Sequence, residues 1–457
     1  MRHWMVLLAE QETTKGFSDI SWLNIVSLLG LFSMLGLAWL MSSARGKINW
    51  RLVGSGVGLQ LLLAAILFQS QTWTFGGRFP GGILYYGINL FFDAIKSWSD
   101  EGAAFVFGFV GDRAPPAIPS LTLLTSFAFG VIPTVIFFAA LMSVLYYVGI
   151  MQWLVKWMAW VMQRVMGTSG AESLAAAANV FVGHTEAPLV VRPYVERMTR
   201  SELNALMVGG FATITGGLMA VFASMGVSAG HLVVASIVSA PAALVIAKIL
   251  QPELEQPETL GDASVVYQSD ASNVVEAAAN GASEGLKLAL NIIGMLIAFV
   301  ALVAMANAIL AMFGACVAWT WNSIFQPEEM LVLDWSLKGL FGLIFWPLAW
   351  VMGIAPAECY ASGNMLGTKT VLNEFIAYDE LVKTELSPRA KLIMTYALCG
   401  FSNFGAIGIQ LGGIGAMAPG RKKDLAQLGL RAMFGGMLAC CMTACLAGLL
   451  FGVFTNG

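Results

Sequence analysis

Charge is what this sequence has least of. Only 11% of its 457 residues are Asp, Glu, Lys or Arg, where a soluble domain carries about 25%. With 58% hydrophobic residues and a mean hydropathy of +0.76, so much apolar surface cannot be hidden in one aqueous core, and the solvent it calls for is lipid. Histidine is nearly absent, with three residues. His184 and Glu186 alone are too few ligands for zinc, and His3 and His231 are expected at the surface. The six cysteines lack metal-ligand spacing, so they are expected to pack as small apolar groups. No basic run or base-stacking array suggests a nucleic-acid partner, and the net charge of −3 is small. Two carboxylates suit acid–base work, but no nucleophile elbow or phosphate loop accompanies them. No enzyme and no organic cofactor is expected.

What is there is long apolar runs. A spanning helix needs about 20 such residues, and eight stretches qualify: Trp22–Met41, Leu52–Phe68, Leu121–Ile150, Leu203–Met225, Leu232–Leu250, Leu288–Trp321, Leu392–Leu411 and Ala426–Phe451. Met1–Ala9 is too short for a cleavable signal, and Glu10 and Glu12 follow it, so the first span is expected to be retained. Leu121–Ile150 and Leu288–Trp321 would run roughly 45 to 50 Å and must tilt or project beyond the bilayer. Gly82–Trp98 and Met151–Met166 are amphipathic, the second with Trp153, Leu154, Trp157 and Val161 at helical spacing around Lys156 and Arg164. Both suit the interface plane; a simple extension of the preceding helix is the alternative for Met151–Met166.

Two apolar pieces are broken by Gly and Pro. One is Ala171–Tyr194, with Gly183 and Pro188; the other is Phe341–Tyr378, with Pro347, Gly353, Pro356, Gly363 and Gly367. Non-helical backbone at membrane depth is tolerated only where protein or a water-filled cavity covers it, so both read as re-entrant hairpins. The clusters Arg45–Lys47–Arg51, Arg192–Arg197–Arg200 and Arg421–Lys422–Lys423 fall on one side of an eight-span chain. That side is expected to be cytoplasmic.

One unit occurs twice: a long helix, a broken hairpin bearing a carboxylate, then a span with a polar, Gly-containing interruption. The first copy ends in GHTE at Glu186 and GGFATITGG at Gly209–Gly217; the second in LNEF at Glu374 and GFSNFGAIG at Gly400–Gly408. Paired interrupted segments point to a transporter site near the midplane. An ionised residue at mid-span costs about 2.5 to 3.5 kcal/mol on insertion scales, so Glu186 and Glu374 are expected to face a cavity. A carboxylate that reaches an interface, or pairs with Lys369 in the case of Glu374, is the alternative. The fold class expected is therefore an all-α integral membrane protein. It has about eight spans, two re-entrant hairpins and interfacial helices around an inverted-repeat core. Residues 1–118 form N-terminal spans, 119–250 the first repeat with hairpin 171–197, 251–286 an acidic linker, 287–416 the second repeat with hairpin 340–380, and 417–457 the last span.

The motifs AAANVFVGHTEAPLVVRPY, MTRSELNALMVGGFATITGG, GTKTVLNEFIAY and TYALCGFSNFGAIGIQLGGIGAMAP resemble those of concentrative nucleoside transporters, in the same order from Leu121 to the C-terminus. The resemblance implies a secondary symporter of the cytoplasmic membrane that imports nucleosides with sodium, assembled as a homotrimer. It implies that His184, Thr185 and Glu186 lie near the nucleobase with Leu218 against it. Glu374 and Asn403 would bind ribose hydroxyls and Phe401 would line the site. Sodium would be held by Asn179, Val182, Thr213 and Ile214. Three positions depart from the pattern: His184 replaces Gln, Ala406 a frequent Ser, and Gly217 a frequent hydroxyl residue. Proton coupling through Glu186 or His184 is the alternative, and a channel a further one.

Overall fold

A computed structural model describes residues 22–68, 80–107, 127–184, 186–260, 271–325 and 335–452. Every regular element among the described residues is helical. The first half contains α1 (Trp22–Leu40), α2 (Trp50–Phe68), α3 (Pro80–Phe107), α4 (Phe127–Val148), α5 (Ile150–Met166), α6 (Gly170–Ala178), α7 (Ala187–Val190), α8 (Arg192–Val195), α9 (Arg200–Ala212), α10 (Gly216–Ser224) and α11 (Ala229–Leu250). The second contains α12 (Val274–Phe325), α13 (Leu337–Val351), α14 (Cys359–Val371), α15 (Glu374–Lys383), α16 (Pro388–Leu398), α17 (Phe404–Met417) and α18 (Lys422–Leu450).

Among the described residues, six segments are long and apolar enough to cross a membrane, and the bent pair α4–α5 adds a seventh. The remaining expected span, 392–411, is divided between α16, of 11 residues, and α17, of 14. Residues 121–126 of the third expected span lie outside the described residues. Among the described residues α4 covers 22 positions of that span. It ends at Gly149, where φ is +91°, a conformation glycine adopts at no steric cost. There the chain turns by 76° into α5, which excludes α5 as an extension of α4. The packing stripe of α5 is Met151, Val155, Ala159, Met162 and Met166. Trp153, Trp157 and Trp160 face outward, as amphipathic rings at a membrane interface do.

The sixth expected span exceeds its sequence-based length. Helix α12 runs unbroken for 52 residues, about 78 Å, and takes in residues 274–286, which the sequence reading assigns to a linker. It lies along α4. A Cβ on Gly281 would meet the Ala139 carbonyl at 2.6 Å and Ala140 Cα at 2.8 Å, and one on Gly285 would meet Ile136 Cα at 2.8 Å. Small residues four apart bring the two backbones into direct contact. Beyond that seam, only 6% of the span window Val300–Ile324 is buried, against 83–89% for the windows in α9–α10, α11 and α18.

The core is built from α9, α11 and α18, with α1, α2 and α16 packed on them. His231, expected at the surface, is half-buried on α11, its Nδ1 3.1 Å from the Tyr396 hydroxyl. Five of the six cysteines are buried and Cys316 is exposed.

Hairpin 1 (α6, the turn 179–186, α7 and α8) is anchored at its base by charge. Two capping boxes start α6 and α9: Ser169 with Glu172, and Thr199 with Glu202. They interlock, since the Ser169 hydroxyl donates to Glu202 Oε1 at 2.5 Å. Lys248, at the end of α11, closes the cluster with its Nζ 2.7 Å from Glu172 Oε2 and 3.1 Å from Glu253 Oε2. Breaking a buried pair by removing one partner costs about 3–5 kcal/mol. Lys248→Met is therefore expected to lower the thermal midpoint of the detergent-purified protein sharply. Exposed Lys383→Met, which loses only the surface pair with Asp379, should move it by less than about 1 kcal/mol equivalent.

Candidate functional site

Two helices break inside the bundle, and the breaks touch. The first is 213–215, between α9 and α10; the second is 399–403, between α16 and α17. The Phe401 N–H donates to the Thr213 carbonyl at 3.3 Å, and the Ser402 hydroxyl to the Phe211 carbonyl at 2.8 Å. A helix end leaves four carbonyls without intrahelical partners. At the end of α16 all four find protein donors. Thr395 accepts from the Tyr378 hydroxyl at 2.7 Å, Tyr396 from the Cys399 N–H at 3.2 Å, Ala397 from the Lys369 ammonium at 2.8 Å, and Leu398 from the Gly400 N–H at 2.9 Å. Helix α18 braces both breaks: the Cys440 sulfur lies 3.2 Å from the Cys399 carbonyl and 3.5 Å from that of Ala212.

Each chain piece after a break restarts on an N-cap side chain. Thr215 accepts from Leu218, Asn373 from Ile376 and Asn403 from Ala406. Helix N-termini carry partial positive charge, so the ends of α10, α15 and α17 favour electron-rich groups at the junction. Glu374 is the first residue of α15 and is buried. Asn403 works twice: its Oδ1 caps α17 at 2.8 Å and its Nδ2 donates to Glu374 Oε2 at 3.1 Å. A carboxylate has roughly four lone-pair sites, so Glu374 keeps acceptor capacity for a ligand. Lys369 does not pair with it; its ammonium goes to Ala397 instead.

From the tip of hairpin 1, His184 reaches the second break and meets Phe401 edge to face, ring centroids 4.5 Å apart. Both of its ring nitrogens are buried without a protein partner. Leu218, in the first turn of α10, is buried. Asn179, at the C-cap of α6, is 1% exposed, and neither Oδ1 nor Nδ2 has a partner. It packs on Gly209, whose Cβ would lie 3.0 Å from Asn179 Nδ2, while the Thr213 hydroxyl donates to the Gly209 carbonyl at 3.0 Å. Gly216 N–H donates to the Phe181 carbonyl at 2.9 Å, which ties the turn carrying Val182 to the break carrying Ile214. Asn179, Val182, Thr213 and Ile214 are thus neighbours, with neutral oxygens to offer a hard cation.

The structure brings together His184 with Phe401, Glu374 with Asn403, and Asn179 with Thr213. Glu186 forms no hydrogen bond or ion pair with these groups among the described residues, and its side chain is exposed. Thr185 lies outside the described residues. Sequence reading missed Gln410, which is buried on α17, donates to the Met207 carbonyl at 3.3 Å and has an unpartnered Oε1. A Cβ on Gly210 would meet both His184 Cβ, at 2.7 Å, and Gln410 Nε2, at 2.8 Å. A lone amide in an otherwise apolar stretch was the available signal.

Three family models match the chain: Na+ dependent nucleoside transporter N-terminus over residues 29–110, Nucleoside recognition over 128–229, and Na+ dependent nucleoside transporter C-terminus over 231–448. A transporter of Haemophilus influenzae is 41% identical, over 93% of this chain and 98% of that protein. Solute carrier family 28 member 3 of Mus musculus is 38% identical over 98% of this chain. The chain spans 63% of that mammalian relative's length. CNTnw, solved in an inward-facing substrate-bound state, is 39% identical with a TM-score of 0.84, over 95% of this chain and all of that one. A CNTnw variant solved in an outward-facing state is 38% identical with a TM-score of 0.81, over 94% and 98% of the two chains.

Gly210→Ala should displace the His184 ring, since the new methyl overlaps His184 Cβ. The expected effect is about a tenfold loss of ligand affinity, against an overpacking cost of about 1–3 kcal/mol. Gly217→Ala is the control, because its Cβ would meet nothing nearer than 3.8 Å. Equal affinities in the two variants, read by isothermal titration, would remove His184 from the site.

Proposed function

The chain belongs to the Na+ dependent nucleoside transporter family, and on that footing we propose that it imports nucleosides across the cytoplasmic membrane, driven by a sodium gradient. The observation that carries this reading is the buried junction of two broken helices, where Glu374 bonds Asn403 in the second repeat and His184 of the first repeat meets Phe401 in the same break. A nucleoside is a neutral, flat base joined to a vicinal diol. Glu374 takes the diol, because a carboxylate accepts from two hydroxyls at once, and Asn403 holds that carboxylate in place. Neutral His184 presents one donor and one acceptor to the base, Thr185 and Glu186 follow it in the chain as further candidate base contacts, and Leu218 and Phe401 cover the base's apolar faces.

Sodium is cargo in this scheme. It sits on Asn179 Oδ1, the Thr213 hydroxyl and the carbonyls of Val182 and Ile214. The unpartnered amide of Asn179 supports this, since a buried polar group without a partner costs about 1–3 kcal/mol, which a cation would offset. Ion and substrate both bear on the hairpin-1 turn, so each raises the affinity for the other by the same factor. Alternating access carries the site across, and the inward- and outward-facing states of CNTnw support that motion. The exposed face of α12 supports assembly, and a homotrimer is the state we propose. Proton coupling through Glu186 or His184, two titratable groups on the hairpin-1 turn, is the second reading.

The deciding experiment is uptake of radiolabelled uridine and adenosine into proteoliposomes, with and without an inward sodium gradient at fixed pH. Sodium-driven accumulation is expected; uptake driven only by a pH gradient would move the coupling to Glu186. Glu374→Gln should reduce uptake about a hundredfold or more, as loss of a charge-assisted diol contact implies, while the folded yield stays unchanged. Ala406→Ser and Gly217→Ser restore hydroxyls that the family pattern often carries. Each should alter the uridine-to-adenosine uptake ratio, by about fivefold or more for a contact of about 1 kcal/mol.

A further inference from the structure

The two repeats satisfy their breaks differently. Thr215 and Asn403, the N-caps that restart the broken helices, both accept from the N–H three residues on, which sets a common register. Six residues before each cap stand Gly209 and Ala397. In the first repeat Asn179 packs on Gly209, and the Gly209 carbonyl accepts from Thr213. In the second the Ala397 carbonyl accepts from the Lys369 ammonium at 2.8 Å. The two side chains come from corresponding places. Asn179 is the C-cap of α6, the first arm of hairpin 1, and Lys369 lies in the last turn of α14, the first arm of hairpin 2. Lys369 stands three residues before its C-cap Leu372, about 4.5 Å back along the helix, a distance the longer lysine stem makes up.

Lys369 is 0% exposed and forms no ion pair among the described residues. A buried ammonium without a contacting anion is costly unless the surrounding potential is negative. The C-terminal end of α16 supplies that potential through its aligned carbonyls, and Glu374 adds its field without touching. The last four carbonyls of α16 are all occupied by protein donors, whereas the Asn179 amide of the first repeat has none.

We infer that Lys369 carries a tethered cation. Its ammonium takes, in the second repeat, the place that the coupling cation takes in the first. Hairpin 2 is thereby fastened to its helix break at every sodium concentration, while the fastening of hairpin 1 waits for the ion. Each protomer then carries one mobile coupling cation, because the second position is filled by the chain. The inference rests on reading Asn179 as a ligand of that cation.

The test uses the full-length protein. Equilibrium binding of radioactive sodium to the wild type should give one ion per protomer. Lys369→Asn, which replaces the tethered charge by a neutral amide and leaves its place open to a second ion, should lose uptake at low sodium and regain it at high sodium. Its half-saturating concentration should rise about tenfold, its Hill coefficient should move from about 1 to about 2, and it should bind a second ion per protomer. Lys369→Arg keeps the tethered charge and should keep the wild-type Hill coefficient. Two ions on the wild type would overturn the inference, and so would a folded Lys369→Asn with wild-type sodium dependence or with no uptake at any sodium concentration. Should Lys369→Asn fail to fold, even when purified in high sodium, Lys369 is structural and the inference falls as well. No ion on the wild type would instead remove the sodium reading of Asn179 itself.

Discussion

A helix broken inside an apolar bundle exposes carbonyls and N–H groups that no water is at hand to satisfy. The centre of this protein is organised around that constraint. It is met by placing the two breaks against each other, so that Phe401 N–H serves the Thr213 carbonyl and the Ser402 hydroxyl serves Phe211. Side chains from neighbouring elements supply the rest: Tyr378 and Lys369 from hairpin 2, and Cys440 from α18. Among the buried polar groups of the described residues that stay unpartnered are Asn179, both nitrogens of His184 and Gln410 Oε1. They cluster around the same junction, where a cation and a ligand that is polar but uncharged would find partners.

Charge is confined in the same economical way. The ion pair of Lys248 with Glu172 and Glu253 lies at the base of hairpin 1, away from the breaks. It joins the starts of α6 and α9 to the end of α11 through two interlocked capping boxes. The described residues of the turn, 179–184, are almost all buried, held from below by the salt-bridged caps and from the side by Gly209 and Gly210. Glycine at those two positions lets Asn179 and His184 approach the α9 backbone directly.

Outside the junction the molecule divides its surfaces by a different rule. Helix α12 lies along α4 through Gly281 and Gly285, and most of its remaining length is exposed. The helices of the core have almost no exposed face. An element so long and so little covered is suited to meeting lipid and other copies of the chain. The buried bundle, by contrast, holds every polar contact of the site.

Much of this was legible in the sequence because it follows from composition and local chemistry. Scarce charge and long apolar runs imply a membrane solvent. Gly and Pro within apolar stretches imply breaks, and Thr215, Asn373 and Asn403 are cap residues wherever a helix restarts. The motif order identified the family and the residues beside each break. Hydropathy could not give the extent of α12, because its first turns are Ala-rich and mildly acidic rather than strongly apolar, although Ala favours a helix and Gly281 and Gly285 pack on α4. Nor could it distinguish Lys369 as a partner of Glu374, five residues away, from Lys369 as a cap for Ala397, 28 residues away. It also passed over Gln410, whose partner Met207 lies more than two hundred residues away. Sequence by itself therefore determined which residues interrupt the helices and what chemistry they bring. Only the tertiary structure decided which interruption faces which, because the pairing of orphaned backbone groups depends on contacts between segments nearly two hundred residues apart, which no local pattern records.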